Sequence, residues 1–190
     1  MSLKTDKLMS PHYTPEELAA MGFKSLGKGL MISRKASFYG TSRISIGDNV
    51  RIDDFCILSG EVTLGSHIHI SAYAALYGSM GIELEDYTGV SPRATLFSAM
   101  DDFGGDYLIG PIHPEETTHV TGGKILLKRY AQIGSGTTLF PAVSIGEGTV
   151  VGAMSLVRKS LPDWVVAAGI PARVLRERSK GLLQFVENEK

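Results

Sequence analysis

The sequence predicts an all-β protein built as a parallel β-helix. In the second half of the chain an aliphatic residue recurs every six positions: Leu127, Ile133, Leu139, Ile145, Val151 and Val157. Four positions after each of these, the residue is mostly small or β-branched: Ala131, Thr137, Val143, Thr149, Ser155 and Leu161. A fixed internal period of six is the signature of stacked β-helix coils. The first and fifth residues of each six point to the same face of a strand, so both sets are expected to be buried.

The same period runs through the first half of the chain. Its lead residues are Ile46, Ile52, Leu58, Leu64, Ile70 and Leu76, with Val50, Cys56, Val62, Ile68, Ala74 and Met80 four positions later. A slip of two residues at 78–81 predicts a loop or a bulged corner, after which the period resumes at Leu84, Val90 and Leu96 with Thr88, Ala94 and Met100. Ranges 46–96 and 127–161 predict roughly five turns, stacked about 4.8 Å apart. A β-sandwich is the alternative, but its strands recur every 8–12 residues or so.

Composition limits the function classes. The chain has 190 residues, a formal net charge of -1 and 43% hydrophobic residues, which suits one domain with a sizeable core. A net charge this close to zero gives no indication of binding to nucleic acid or to an anionic membrane. The single cysteine, Cys56, excludes an internal disulfide and lies at an inward position. With no signal peptide and no apolar run of 18 residues, we expect a cytoplasmic protein without a membrane span.

The N-terminal segment, 1–29, contains a predicted helix. Thr14 can cap it, Pro15 suits its first turn, and Glu17 lies three residues after the cap as in a capping box. The helix is expected to run through Met21 and to stop at Gly22. The β-helix domain is predicted to follow over 30–172.

A long loop interrupts the repeat at about 97–124. It is rich in glycine and carboxylates and holds His113, His119 and Tyr107. Long loops without regular structure are usually functional or disordered, and the charged, aromatic and proline content favours function here.

The last segment, 173–190, is predicted to be a helix running from Val174 to about Asn188. Leu175, Leu182, Leu183 and Val186 would form its apolar stripe. Three arginines would load its first turn with positive charge, at Arg173, Arg176 and Arg178. Positive charge is unfavourable at a helix N-terminus, which suggests an anionic ligand there.

From Ile44 to Arg176 the chain resembles the hexapeptide-repeat acyltransferases, and within them the sugar acetyltransferases such as galactoside and maltose acetyltransferases. Four segments follow the family pattern in order and spacing: 133–136, 141–146, 151–153 and 168–173. The resemblance implies a left-handed β-helix, a homotrimer and acetyl-CoA as co-substrate bound between neighbouring coils. It also implies a sugar or nucleotide-sugar acceptor, and it implies no metal.

The resemblance also implies that six particular residues contact the coenzyme. These are Ser135, Ala153, Arg158, Lys159, Arg173 and Arg176. Small residues at coil corners would let backbone groups reach the pantetheine amides. Arginine and lysine would pair with the phosphates.

The family places a catalytic histidine just before the long loop, but this chain has Asp101 there, followed by Asp102. Histidine is a good general base near neutral pH, whereas an aspartate with the ordinary pKa of about 3.9 is a poor one. Three explanations stay open. The adjacent carboxylates alter each other's protonation, the acceptor needs little base, or His113 or His119 serves as the base. His69 and Tyr107 are further candidates to contact the acceptor.

The leading hypothesis is therefore an acetyl-CoA-dependent sugar acetyltransferase in surface-polysaccharide or nucleotide-sugar metabolism. A free amine needs only orientation, so loss of the histidine favours an amino sugar over a sugar hydroxyl. A carbonic-anhydrase-like metal enzyme would need three converging histidines, and His67 and His69 lie only two residues apart on one strand. A nonenzymatic scaffold is the remaining alternative.

Overall fold

The computed structural model describes residues 10–186. They form a parallel β-solenoid in which each coil contributes a short strand to each of three faces. The first face carries β1 (Ser25–Leu26), β4 (Ile44–Ile46), the ends of β6 (Ile57–Leu64) and β8 (Ala75–Leu84), β13 (Ile125–Leu127) and β16 (Ser144–Ile145). The second face carries β2 (Met31–Ile32), β5 (Arg51–Ile52), β7 (His69–Ile70), β9 (Gly89–Val90), β14 (Gln132–Ile133), β17 (Val150–Val151) and β19 (Val165–Gly169). The third face carries β3 (Ser37–Tyr39), the starts of β6 and β8, β10 (Thr95–Phe97), β15 (Thr138–Leu139) and β18 (Leu156–Val157).

The solenoid has about seven turns rather than the five expected from the repeat. The additional turns arise because β1, β2 and β3 form a coil before the aliphatic period becomes visible, and because β19 closes the stack. The coils thus begin at Ser25, inside the segment that the sequence assigned to the helical N-terminus. The left hand of the solenoid stays an expectation from the family resemblance.

The core is the column of inward residues that the period predicts. All of the lead residues from Ile46 to Val157 are buried, and so are most of their partners four positions later. Three of these partners are exceptions, since Met80 is 41% exposed and Met100 and Leu161 are half-buried. Leu161 still packs against the core. The two methionines lie at the corner between the third and first faces, where the six-residue repeat is interrupted, so the inward assignment was wrong for them.

The slip at 78–81 is a bulge inside one continuous strand and not a loop. Gly60 of β6 pairs with Gly78 of β8, but Val62 pairs with Ile82, so β8 absorbs two extra residues between these pairs. β6 and β8 therefore both cross the corner without a break. The irregularity lies at the same corner as the long insertion.

The N-terminal helix α1 spans Pro15–Ala20, one residue shorter than expected, with Met21 as its C-cap. The capping box is confirmed. The Thr14 backbone N–H donates to Glu17 Oε2 at 2.8 Å, and Thr14 Oγ1 accepts from the Glu17 backbone N–H at 3.3 Å. Leu18 is 2% exposed and anchors this short helix to the solenoid.

The expected C-terminal helix is wrong over most of its length. Residues Ala172–Glu177 form β20, which pairs antiparallel with β19 at the end of the second face. The edge of β19 offers backbone hydrogen-bonding partners, so an extended chain satisfies donors and acceptors that a lone exposed helix would not gain in packing. Only Leu183–Val186, α2, is helical, and residues 187–190 lie outside the described part. Arg173, Arg176 and Arg178 therefore do not lie at a helix N-terminus, and the expected unfavourable charge is absent.

Residues 10–186 contain no helix long and apolar enough to cross a membrane.

Candidate active site

The predicted long loop is a hairpin arm that leaves the solenoid after β10 and returns before β13. Its base is a two-stranded antiparallel sheet of β11 (Ala99–Asp101) and β12 (Val120–Gly122), and a short 3-10 turn spans Glu115–Thr117. The arm, 99–122, projects from the corner between the third and first faces, called here the third corner. The arm lies within the interval of about 97–124 expected from the sequence, and it has regular structure at its base.

The two adjacent aspartates of the arm have different surroundings. Asp101 ends β11, is half-buried, and accepts one long hydrogen bond from the Gly110 backbone N–H at 3.5 Å. The Asp102 carboxylate accepts a short bond from the Gly104 backbone N–H at 2.7 Å, and its own N–H donates to the His119 carbonyl at 2.9 Å. Asp102 therefore fixes a turn of the arm. The Asp101 carboxylate retains most of its capacity to bind a ligand.

The other candidates on the arm lie beyond the aspartates. The His119 ring stacks on the Tyr107 ring, with centroids 5.0 Å apart, and both side chains are exposed. His113 is half-buried. Within residues 10–186 no hydrogen bond joins either imidazole to Asp101 or Asp102. The structure thus gives neither histidine the geometry of a base coupled to these carboxylates.

An apolar pocket separates the arm from the solenoid. Its volume is about 340 Å³, and it is lined by Phe97, Ala99, Met100, Asp101, Phe103, Phe140 and Pro141. Asp101 is the single charged residue in this lining. Phe97 and Phe140 lie one coil apart at the end of the third face, because Leu96 pairs with Leu139. The Arg158 guanidinium lies over the Phe140 ring at 5.6 Å, so a cation flanks the pocket.

The coenzyme candidates fall into separate groups. Ser135 and Ala153 are exposed at the corner between the second and third faces, called here the second corner, and the Met154 N–H donates to the Ser135 carbonyl at 2.8 Å. The coils approach closely there, since a Cβ on Gly134 would lie 2.5 Å from the Ala153 nitrogen.

The cations lie apart from that corner. Arg158 and Lys159 are exposed at the third corner, directly after β18. Arg173 and Arg176 are exposed on β20, beside the second face. One chain therefore does not bring all six candidates around one ligand.

His69 belongs to a polar cluster on the outside of the second face. Its Nε2 lies 2.8 Å from Asp53 Oδ2, and Arg51 Nε donates to Asp53 Oδ1 at 2.7 Å. Partial burial acts to raise the pKa of Asp53, but the hydrogen bonds from Arg51 and His69 outweigh it and lower that pKa. A carboxylate only accepts, so Nε2 is the protonated nitrogen and Nδ1 of a neutral ring is free to accept from a ligand.

Two other chemistries lack support from the described residues. The Cys56 thiol is fully buried, and burial raises its pKa to about 11, so it is not a nucleophile at neutral pH. Among residues 10–186, no group of three or more histidine, cysteine, aspartate or glutamate side chains is arranged to hold a metal ion.

No protein-family model matches the chain. The chain is 40% identical over 172 residues to the dTDP-4-amino-4,6-dideoxy-D-glucose acyltransferase of Escherichia coli, covering 89% of this chain and 90% of that protein. It is 28% identical over 156 residues to the galactoside O-acetyltransferase of Escherichia coli (strain K12), covering 77% and 70%.

A solved structure shares the whole architecture. AntD, an N-acyltransferase from Bacillus cereus in complex with dTDP and 3-hydroxybutyryl-CoA, superposes with a TM-score of 0.91 at 49% identity. The superposition covers 95% of this chain and 96% of that chain. Together with the six-residue repeat and the solenoid, these likenesses show that the chain belongs to the hexapeptide-repeat acyltransferase family.

Proposed function

We propose that this protein transfers an acyl group from an acyl-CoA to the amine of a nucleotide-linked amino sugar. The observation that carries the proposal is Asp101. It stands at the position where the sugar O-acetyltransferases that this chain resembles have a histidine. An amine acceptor accounts for that replacement, because a neutral amine attacks a thioester without a base. The E. coli relative is named for dTDP-4-amino-4,6-dideoxy-D-glucose, and a serine variant of AntD was crystallised with the same amino sugar and coenzyme A.

The AntD variants also support Asp101. Variants of AntD change one serine and one aspartate, ten positions apart in that chain. In this chain a single serine is followed ten positions later by an aspartate, and the pair is Ser91 and Asp101. Ser91 follows β9 at the end of the second face, on the coil that leads into the arm. We infer that Ser91 and Asp101 both contact the acceptor.

The reaction needs few groups from the protein. The amine nitrogen forms a bond to the thioester carbonyl carbon, the carbon–sulfur bond breaks, and the amine proton leaves with the coenzyme thiolate. An amide and a free thiol result. In this scheme Asp101 accepts a hydrogen bond from the amine and orients its lone pair towards the carbonyl. Asp102 supports the arm, while His113 and His119 remain alternative proton acceptors.

The coenzyme would lie along the second corner. Ser135 and Ala153 offer backbone groups to the pantetheine there, and Ser91 lies one coil below Gly134, because β9 pairs with β14. The thioester end of the coenzyme would thus point towards Ser91. His69 lies one coil further down, since it pairs with Gly89 of β9. We assign His69, with its outward Nδ1, and Tyr107 of the arm to binding the acceptor.

A homotrimer would complete the site. Asp101, Arg158 and Lys159 lie at the third corner and Ser135 and Ala153 at the second, so one ligand meets both groups only between neighbouring chains. Large apolar side chains are exposed on the single chain, and clusters of such side chains mark interfaces. Examples are Tyr39 at 58%, Phe55 at 46%, Tyr73 at 52% and Phe103 at 71%.

We expect light scattering to give three times the 20.4 kDa chain mass. An active monomer in the same measurement would contradict a site shared between chains. We place the enzyme in the cytoplasm, where acyl-CoA and nucleotide sugars are available.

Arg173 is proposed to pair with a coenzyme phosphate. Arg173→Ala is expected to raise the KM for acyl-CoA about tenfold, as for loss of a charge-assisted hydrogen bond of ~1–3 kcal/mol. The effect should shrink at high salt because the guanidinium is exposed. Steady-state kinetics with varied acyl-CoA measure it, with Lys180→Ala as a control cation over the Trp164 ring. An unchanged KM would move the phosphates away from β20.

The direct test of the proposed function is thiol release from acetyl-CoA with a panel of sugars. We expect release with dTDP-4-amino-4,6-dideoxyglucose and little with galactosides or maltose. Activity on a simple sugar hydroxyl alone would overturn the proposal in favour of O-acetylation.

A further inference from the structure

We infer that the apolar pocket beneath the arm receives the acyl group of the donor and that it accepts chains longer than acetyl, up to about four carbons. The inference rests on the proposed function, since it places the reacting amine at Asp101. It extends that function by naming the donor class as short-chain acyl-CoA rather than acetyl-CoA alone.

Position is the first argument. The amine attacks the carbonyl carbon, so the acyl tail must lie next to whatever holds the amine. Asp101 both holds the amine in the proposed scheme and lines the pocket. A tail beside Asp101 would lie between Phe97 and Phe140, which are one coil apart in the same lining.

The chemistry of the lining is the second argument. Three phenylalanines, a methionine, a proline and an alanine face the cavity beside the one carboxylate. A sugar or a phosphate would leave its polar groups without partners against such walls. An alkyl chain gains by being buried, at about 0.8 kcal/mol per CH₂, or roughly fourfold in binding for each methylene.

Size is the third argument. The volume of about 340 Å³ lies at the lower end of small-molecule sites, which span roughly 300–1,000 Å³. A methyl group alone would leave most of it empty, whereas a short chain fills more of it. Phe103 is 71% exposed, so the lining of the pocket reaches the surface of the chain on the arm side. The structurally similar AntD was crystallised with 3-hydroxybutyryl-CoA, a four-carbon acyl group with one hydroxyl.

The test compares kcat/KM for acetyl-, propionyl-, butyryl-, 3-hydroxybutyryl- and octanoyl-CoA, with dTDP-4-amino-4,6-dideoxyglucose as acceptor. We expect butyryl-CoA and 3-hydroxybutyryl-CoA to match or exceed acetyl-CoA, and octanoyl-CoA to fall at least tenfold below them. Ala99→Leu places a larger side chain in the pocket and is expected to lower the butyryl-to-acetyl ratio about tenfold. Phe103→Ala enlarges the pocket and should move the preferred chain length upward, so the test stands if one variant fails to fold.

Ile112→Ala is the matched control, because Ile112 lies on the same arm, is 87% exposed and does not line the pocket. Its butyryl-to-acetyl ratio should equal that of the parent. Activity with acetyl-CoA alone, or an unchanged ratio in both pocket variants, would overturn the inference and leave the proposed function intact. If the pocket variants change the oligomeric state but not the butyryl-to-acetyl ratio, a neighbouring chain fills the pocket. That result would also overturn the inference. No activity with any acyl-CoA would count against the proposed function itself.

Discussion

Asp101→Asn is expected to lower kcat/KM for the amino-sugar acceptor by about 10- to 100-fold, because a hydrogen bond to a charged group contributes about 1.5–3 kcal/mol. The substitution keeps the shape of the side chain and removes its charge. Since the carboxylate makes one long bond in the protein, to Gly110 at 3.5 Å, stability should hardly change. The KM for acyl-CoA should also stay nearly constant. Steady-state kinetics with each substrate varied in turn, and a thermal melt, measure these effects.

Asp102→Asn is the matched control, since the two residues are adjacent and have the same chemistry. The Asp102 carboxylate accepts a hydrogen bond from the Gly104 N–H at 2.7 Å. Loss of the Asp102 charge should therefore lower the melting temperature more than it lowers turnover. An active Asp101→Asn protein combined with an inactive His113→Ala or His119→Ala protein would move the chemistry to the arm histidines. Equal effects of the two aspartate variants on kcat/KM would show that the arm needs only its negative charge.

The second large effect concerns the acceptor. Replacing the 4-amine of the nucleotide sugar by a hydroxyl is expected to lower kcat/KM about 10²- to 10⁴-fold, the usual worth of general base catalysis. A hydroxyl must lose its proton during attack, and the family's histidine is absent at Asp101. A neutral amine attacks with its own lone pair and loses a proton only after the carbon–nitrogen bond has formed. Competition between the two acceptors, read by thiol release, measures the ratio.

The rate with the amine acceptor is expected to depend on pH. An ammonium has no lone pair, so the rate should rise with pH until the amine is mostly neutral and then level off. A pH profile of kcat/KM for the acceptor tests this sign. A hydroxyl acceptor used as fast as the amine, or a rate that falls with rising pH, would show that the protein supplies a base.

The solenoid could be predicted from the sequence because its core is repetitive. Each lead aliphatic residue is in contact with the equivalent residue one coil away, so the six-residue period is itself the packing pattern. Positions such as Ile70, Ile133 and Val151 are 0% exposed as that pattern requires. The prediction was wrong at Met80, where β8 absorbs two residues in a bulge. The slip of two residues in the period marks this bulge, but the period does not show that the Met80 side chain points outward there.

The end of the chain was predicted wrongly for a different reason. The segment at Val174–Glu177 has residues at a spacing suited to a helix, but the open edge of β19 favours a strand there. Such a choice depends on a long-range partner, which a local pattern does not contain.

The candidate site was predicted in part. The arm, its aspartates and the basic residues follow from the interruption of the repeat and from the family pattern. Ser91, which we propose to contact the acceptor, was not identified from the sequence because a serine at an outward position of a coil looks like ordinary surface. The pocket was also missed, since Phe97 and Phe140 lie far apart in sequence and meet only through the pairing of β10 with β15.

The most direct test of the proposed reaction is the mass of the sugar nucleotide after incubation of the protein with acyl-CoA and dTDP-4-amino-4,6-dideoxyglucose. We expect that mass to increase by one acyl group, in amounts equal to the thiol released, and the product to resist mild base as an amide does. Thiol release without a change in the sugar nucleotide, or an ester product cleaved by mild base, would contradict N-acylation of an amino sugar.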